Sequence, residues 1–277
     1  SLGAGYVDFA GSGVVHMVGG VAALAGAMVL GPRIGKYTKT GKAVTIAGHD
    51  IPMAMLGTFI LLFGWFGFNA ASTFSATDVQ FATVAANTAI AGAFGAVASM
   101  FWITRRTGKP DPSMMINGML SGLVAITAPC AFVAPWAAAI IGIIAAVLVI
   151  ESSFFIEKKL RIDDPVGAIS VHGVCGLFGV LAVGIFANGS YGAAWNGSES
   201  TGVAGIIKGD WGQLGAQALG GLTIFVVNFA LSFGFFKIQN RLTKGGIRST
   251  SADEVAGLDV EMGVSAYPEF ELIKSKN

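Results

Sequence analysis

The sequence predicts an all-α polytopic membrane protein with seven transmembrane helices. Three observations carry that prediction. Apolar residues make up 53% of the 277-residue chain and charged residues only 12%, whereas soluble domains carry about a quarter charged residues. The apolar residues gather in seven runs, each near the roughly 20 residues a helix needs to cross a hydrocarbon core of about 30 Å. Finally, the cationic residues cluster between alternate runs, as they do when loops sort across a bilayer.

The first run, 8–31, opens on "DFAGSGVVH", with Asp8 at its head and His16 eight residues on, and stays apolar to Leu30. Arg33, Lys36, Lys39 and Lys42 follow it. The second run, 53–74, contains "FGWFGFNAAS", and the third, 81–104, gives way to Arg105, Arg106 and Lys109. The fourth and fifth, 113–131 and 134–156, are nearly continuous, with Pro129 and Pro135 beside the gap, so a tight helical hairpin is expected there. Glu151 lies near the inner end of the fifth run, before Lys158, Lys159 and Arg161. The sixth run, 165–187, leads to a loop, 188–211, that carries "NGS" at Asn188 and Asn196, which reads as turn sequence. The seventh, 212–237, ends in a basic stretch, giving a membrane domain over 1–240 and a tail over 241–277. The 40 glycines fit this plan, because small residues let membrane helices pack backbone to backbone.

Of the 17 Lys and Arg residues, all but Lys208 fall on one side of this arrangement. The positive-inside rule then puts the start of the first run outside and the end of the chain in the cytoplasm; the membrane expected is a plasma (inner) membrane. A net charge of +1 offers nothing to a nucleic acid. Cys130 and Cys175 lie within apolar runs and read as buried thiols. Two histidines and two thiols without carboxylates at membrane depth make a poor metal site, and no nucleophile–base pair or phosphate loop indicates an enzyme. No cofactor is expected. A retinal protein would need a lysine within the last helix, and the run 212–237 has none before Lys237 at its end. The chain begins at Ser1 without a methionine, which leads us to expect a longer native subunit.

A repeat lies inside the sequence. "DFAGSGVVH" at 8–16 and "DPVGAISVH" at 164–172 both open on Asp, place Gly three residues on and end in Val-His. Gly20 and Gly176 each follow their histidine by four residues. Four runs separate the two segments, so they enter the membrane from opposite sides, the mark of an inverted-topology repeat. Each Asp is placed to accept hydrogen bonds from the first turn of its helix. Eight residues of helix span about 12 Å, which puts each His inside the hydrocarbon layer, where the two could meet. A single intramembrane histidine is as readily a packing residue as a functional one; two related by a repeat favour function.

These motifs, with "DDPVGAISVHGVCG" and the tail "GLDVEMGVSAY", resemble the ammonium transporter family (Amt/MEP, related to the Rhesus proteins) over essentially the whole chain. The resemblance implies a homotrimer of eleven-helix subunits built as two inverted five-helix repeats plus a last helix, each subunit with its own pore. The seven runs match the fifth through eleventh helices, so the membrane domain would be a partial channel domain. It further implies that His16 and His172 are the twin pore histidines, with Asp8 the structural aspartate and Asp164 its counterpart. Phe68 would be a gating phenylalanine, and Ser72 part of the outer ammonium-recruitment site. Read from residue type alone, Phe68 would be packing and Ser72 a helix back-bond. In the tail, Gly257, Leu258 and Asp259 would lie in an ordered cytoplasmic segment that touches a neighbouring subunit and on which PII-type regulators act; composition alone would make it a solvated terminus.

Physics narrows the mechanism that this resemblance implies. An ammonium-sized cation costs on the order of 20 kcal/mol to move into a low-dielectric medium in the idealised limit. No acidic residue sits in the middle of any run to neutralise it. The expectation is capture by an aromatic outer site, loss of a proton, and passage of ammonia past the histidines. The rival is a sensor on the same fold that binds ammonium without conducting it.

Overall fold

The computed structural model describes residues 2–191, 202–257 and 259–268. Among them, seven principal helices follow the seven apolar runs: α1 Ser12–Leu30, α2 Ile51–Thr73, α3 Val79–Thr107, α4 Pro112–Ile126, α5 Pro135–Leu160, α6 Ile169–Phe186 and α7 Trp211–Leu242. Two short helices, α8 Ser251–Ala256 and α9 Asp259–Met262, lie in the tail. No β-strand occurs among the described residues.

Aspartates start several of these helices. Asp50 accepts the Met53 N–H at 2.9 Å, Asp111 the Ser113 N–H at 2.9 Å, and Asp210 the Gln213 N–H at 3.1 Å. Each satisfies a first-turn donor that has no helical partner. Pro52, Pro112 and Pro135 fall in first turns, where a missing N–H does no harm.

Six of the seven helices are long and apolar enough to cross a membrane, but α4 has only 15 residues. The apolar run continues to 131, yet the helix stops at Ile126, before Pro129, and residues 127–132 form turns. Proline supplies no N–H to continue the ladder. The turns are buried, so their backbone groups need partners. Asn87 of α3 donates from Nδ2 to the Cys130 and Val133 carbonyls, both at 2.9 Å. Ser12 Oγ accepts the Ala128 N–H and donates to the Val124 carbonyl, both at 2.6 Å.

The expected hairpin is thus present, with an irregular tip braced by side chains of α1 and α3. Its arms, α4 and α5, pack with α3 into the tightest part of the bundle, while α1 lies against α7 and α6. Gln213 and Gln217, four apart on one face of α7, clamp the segment that leads into α1. Gln213 Oε1 accepts the Ala4 N–H at 2.8 Å, and Gln217 accepts the Val7 N–H at 2.7 Å and donates to its carbonyl at 2.6 Å. Asn188 opens its loop with a turn, accepting the Ser190 N–H at 2.9 Å. Asn196 lies outside the described residues.

Candidate functional site

The two Asp–His segments build the same local structure. Gly11 and Gly167, each three residues past the aspartate, adopt φ of 110° and 76°, a region that a side chain disfavours. The chain folds back there, and the carboxylate reaches the first turn. Asp8 accepts the N–H groups of Gly11, Gly13 and Val14 at 3.1, 2.9 and 2.9 Å. Asp164 accepts those of Ile169 and Ser170 at 3.1 and 3.2 Å. The donors five and six residues on are therefore the same in both repeats.

Each histidine then falls in an opening turn wound as a π-helix, Ser12–Met17 in α1 and Ile169–Val174 in α6. Single π turns inside helices are uncommon and concentrate at functional sites. The opening turn of each helix packs on the body of the other, so α1 and α6 cross antiparallel. They cross on glycine. A Cβ at Gly20 would strike the Gly173 backbone, and one at Gly176 would sit 2.6 Å from the Ser12 carbonyl oxygen.

That crossing brings His16 and His172 together. Their Nδ1 atoms are 3.3 Å apart, and their rings lie 20° from parallel with centroids 5.3 Å apart. Only one proton fits between two facing ring nitrogens, so one imidazole donates and the other accepts. His16 also stacks on Trp65 of α2, at 5.1 Å and 17°, and lies 5.4 Å from the Phe68 ring. Trp65 is fixed in turn: its Nε1 donates to Thr127 Oγ1 at 3.1 Å, in the irregular tip after α4. His16 Nε2 is buried and makes no hydrogen bond. Beyond His172, where α2, α4 and α6 begin, a cavity of about 460 Å³ is lined by Thr58, Leu61, Asn117 and Leu120.

The residues singled out from the sequence therefore separate into groups. His16, His172 and Phe68 come together. Ser72 lies one turn beyond Phe68, and its Oγ donates to the Phe68 carbonyl at 2.7 Å, which leaves its lone pairs available to accept. Asp8 and Asp164 stand at the helix heads rather than at the histidine pair. Trp65 and Thr127 were not among the candidates. Trp65 was within reach of the sequence, since it precedes Phe68 by three residues and so shares its helix face.

The tail folds back on the loop after α1. Arg248 grips Glu254 with Nη2–Oε2 at 2.8 Å and donates from Nη1 to the Leu30 carbonyl at 3.0 Å. Glu254 accepts the Ile34 N–H at 2.7 Å. That bond, and then Arg248, hold its carboxyl below the ordinary carboxylate value. Beside it, Arg33 forks onto Asp163 at 2.8 and 2.9 Å. Burial would push Asp163 up, but the hydrogen bonds from Arg33 prevail and hold it low. His49 meets the Tyr267 hydroxyl at 2.7 Å. Gly257 ends α8 at φ 109°, and Asp259 begins α9 and accepts the Ala266 N–H at 3.2 Å. Leu258 lies outside the described residues.

Comparison with known proteins places this architecture. The sequence profile of the Ammonium Transporter Family matches residues 2–267. Ammonium transporter Amt2 of Archaeoglobus fulgidus is 47% identical over 272 residues, covering 97% of this chain and 57% of the relative. Ammonium transporter 1 member 1 of Solanum lycopersicum is 38% identical, covering 94% of this chain and 55% of the relative. Among solved structures, one described as a sensor Amt protein superposes with a TM-score of 0.83 at 42% identity, covering 93% of this chain and 60% of that one. Candida albicans Mep2 superposes with a TM-score of 0.80 at 30% identity, covering 90% of this chain and 53% of that one. The chain thus spans between half and three-fifths of the length of these relatives, and none of the four is named as an enzyme. Its apolar helices and these relatives make it an integral membrane protein. The chain belongs to the ammonium transporter family.

Proposed function

We propose that this chain carries the twin-histidine part of a pore that moves ammonium across the membrane as ammonia. The observation that supports this most directly is the 3.3 Å contact between the Nδ1 atoms of His16 and His172, made by two helices of an inverted repeat. Ammonium would be held at the outer end by Phe68 through its ring face and by Ser72 as an acceptor. There it gives up one proton, and neutral ammonia enters the apolar lumen. The paired imidazoles offer it one donor and one acceptor without fixing a charge in lipid. If the released proton returns outside, transport is electroneutral. If it passes along Nδ1–H···Nδ1, each imidazole exchanges its tautomer and transport is electrogenic. Asp8 and Asp164 act through the helix heads that aim the two histidines. Potassium has no proton to give up and no N–H to donate, so the same path excludes it.

The setting follows the same reading. The pore functions as a homotrimer in the plasma (inner) membrane, with the start of α1 outside and the tail in the cytoplasm. The membrane domain, 1–240, is then joined to a regulatory tail, 241–277. Gly257, Leu258 and Asp259 belong to the segment offered to a neighbouring subunit or a PII-type regulator.

The test is the intact protein in liposomes with and without His16→Ala. Loss of ammonium flux, or loss of discrimination against potassium, supports the role. Unchanged flux and unchanged potassium exclusion remove it. One observation favours a second reading: the solved structure described as a sensor Amt protein is 42% identical to this chain. A pure sensor binds ammonium without an ammonium-evoked current or uptake, so the same liposomes decide between the two.

A further inference from the structure

The histidine pair is also held from α7. Asn228 sits among apolar residues near the middle of that helix, and a polar side chain at such a depth is a candidate for function. Its Nδ2 donates to the Val18 carbonyl of α1 at 2.6 Å, and its Oδ1 accepts the Ser232 hydroxyl at 3.1 Å. The amide has one orientation here. A carbonyl only accepts, so the NH2 end must face Val18, which leaves the oxygen to Ser232. Val18 directly follows the π turn and lies two residues past His16.

Asn228 shares a face of α7 with Gln217, since eleven residues make about three helical turns. Gln217 binds both main-chain groups of Val7, the residue before Asp8. Between Gln217 and Asn228, Gly220 seats the Tyr6 ring, whose hydroxyl donates to Asp8 at 3.2 Å. One face of α7 therefore grips the chain on both sides of the stretch from Asp8 to His16. The repeat has no second copy of this helix. Its hydrogen bond to α6, from Gln217 Nε2 to the Val180 carbonyl at 2.9 Å, falls eight residues beyond His172 and outside that π turn. The grip thus acts on His16 rather than on His172.

We propose that Asn228 is a positioning residue for His16. It pins the far end of the π turn while Gln217 pins the near end, so α7 fixes how far His16 reaches toward His172. The Nδ1–Nδ1 distance of 3.3 Å is close to the limit of a hydrogen bond, so a small shift of the turn breaks it. The proposal rests on reading the histidine pair as the conduction path.

The experiment is solid-state NMR of the intact protein in liposomes, isotope-labelled at the histidine nitrogens, beside ammonium flux and thermal unfolding of the same preparation. Asn228→Leu removes the donor and keeps the volume. In the folded variant the nitrogen–nitrogen coupling across Nδ1–H···Nδ1 should disappear. Flux should fall, up to the order of 10²-fold that a displacement of about 1 Å at a reacting site can cost. Thr223→Val, at an exposed position on the same helix, should change neither. A residue that only glues α7 to α1 would lower the unfolding midpoint and spare the coupling. Coupling that persists in Asn228→Leu therefore overturns the proposal, whatever the flux, and so does its loss in Thr223→Val. Should Asn228→Leu fail to fold, Ser232→Ala leaves the amide in place but unanchored and should weaken the coupling; undiminished coupling there also overturns the proposal. The reading beneath it fails separately. Coupling lost in Asn228→Leu, with flux unchanged both there and in His16→Ala, would end the conduction role and support the positioning one.

Discussion

Substituting Gly20 by alanine should separate the two histidines without unfolding the protein. A Cβ at Gly20 would lie 2.7 Å from the His172 carbonyl carbon and nearer still to the Gly173 backbone. Backbone atoms cannot swing aside as a side chain can. The Gly173 Cα would be 2.4 Å away, so restoring an ordinary carbon–carbon contact of about 3.5–4.0 Å requires α1 and α6 to part by about 1–1.5 Å. The Nδ1–Nδ1 distance is already 3.3 Å, close to the limit of a hydrogen bond, so that shift breaks the contact. Overpacking of this kind costs about 1–3 kcal/mol, which a bundle of this size survives. A displacement of 1 Å at a reacting site can nonetheless reduce rate on the order of 10²-fold.

The assay is ammonium flux into liposomes beside thermal unfolding of the same preparation. Gly19→Ala is the control, because a Cβ there meets nothing within 4 Å. Flux should collapse in Gly20→Ala and hold in Gly19→Ala, with both proteins folded. Equal flux in the two variants would refute the argument that the glycine crossing sets the histidine spacing.

Three further outcomes follow from the same geometry. Asp164→Ala removes the acceptor for the Ile169 and Ser170 N–H groups and should lower stability by about 1–3 kcal/mol, read as a fall in the midpoint of thermal unfolding. Thr127→Val leaves the buried Trp65 N–H without its 3.1 Å acceptor; flux should fall while the protein stays folded, and an unchanged flux would show that Trp65 does not need this anchor. Asp163 and Glu254 have folded pKa values below their ordinary ones of 3.8 and 4.5. The hold of Asp163 on Arg33 and of Glu254 on Arg248 and Ile34 is therefore complete above those values and lost only as pH falls through the lower, folded ones. Protection factors for hydrogen exchange in the tail, with the intrinsic pH dependence of exchange divided out, should be flat from pH 8 to 5 and fall only in strong acid; a fall above pH 5 would refute this assignment.

Much of this could be read from the sequence, for identifiable reasons. The seven runs were visible because lipid imposes one composition on every spanning helix. The repeat was visible because Asp-x-x-Gly is a local solution to turning a chain into a helix, and both copies need it. The end of α4 was not visible at the right place, because a hydropathy count registers Pro129 as tolerable and does not register the broken ladder. The π turns were hidden for a related reason: they depend on which N–H groups the aspartate takes, a matter of geometry rather than of residue type. Nor could the docking of the tail be read, since Arg248 and Glu254 resemble solvated surface charges. The groups that hold them, the Leu30 carbonyl and the Ile34 N–H, lie more than two hundred residues away.

The glycine crossing has one more implication. Where side chains separate two helices, the gap between them breathes as rotamers hop. Where bare backbone touches bare backbone, as at Gly20 and Gly173, there are no rotamers to hop, and the gap is as stiff as two rods pressed together. The spacing of the imidazoles is then a machined tolerance. It should change little with temperature or with the lipid in which the protein is placed.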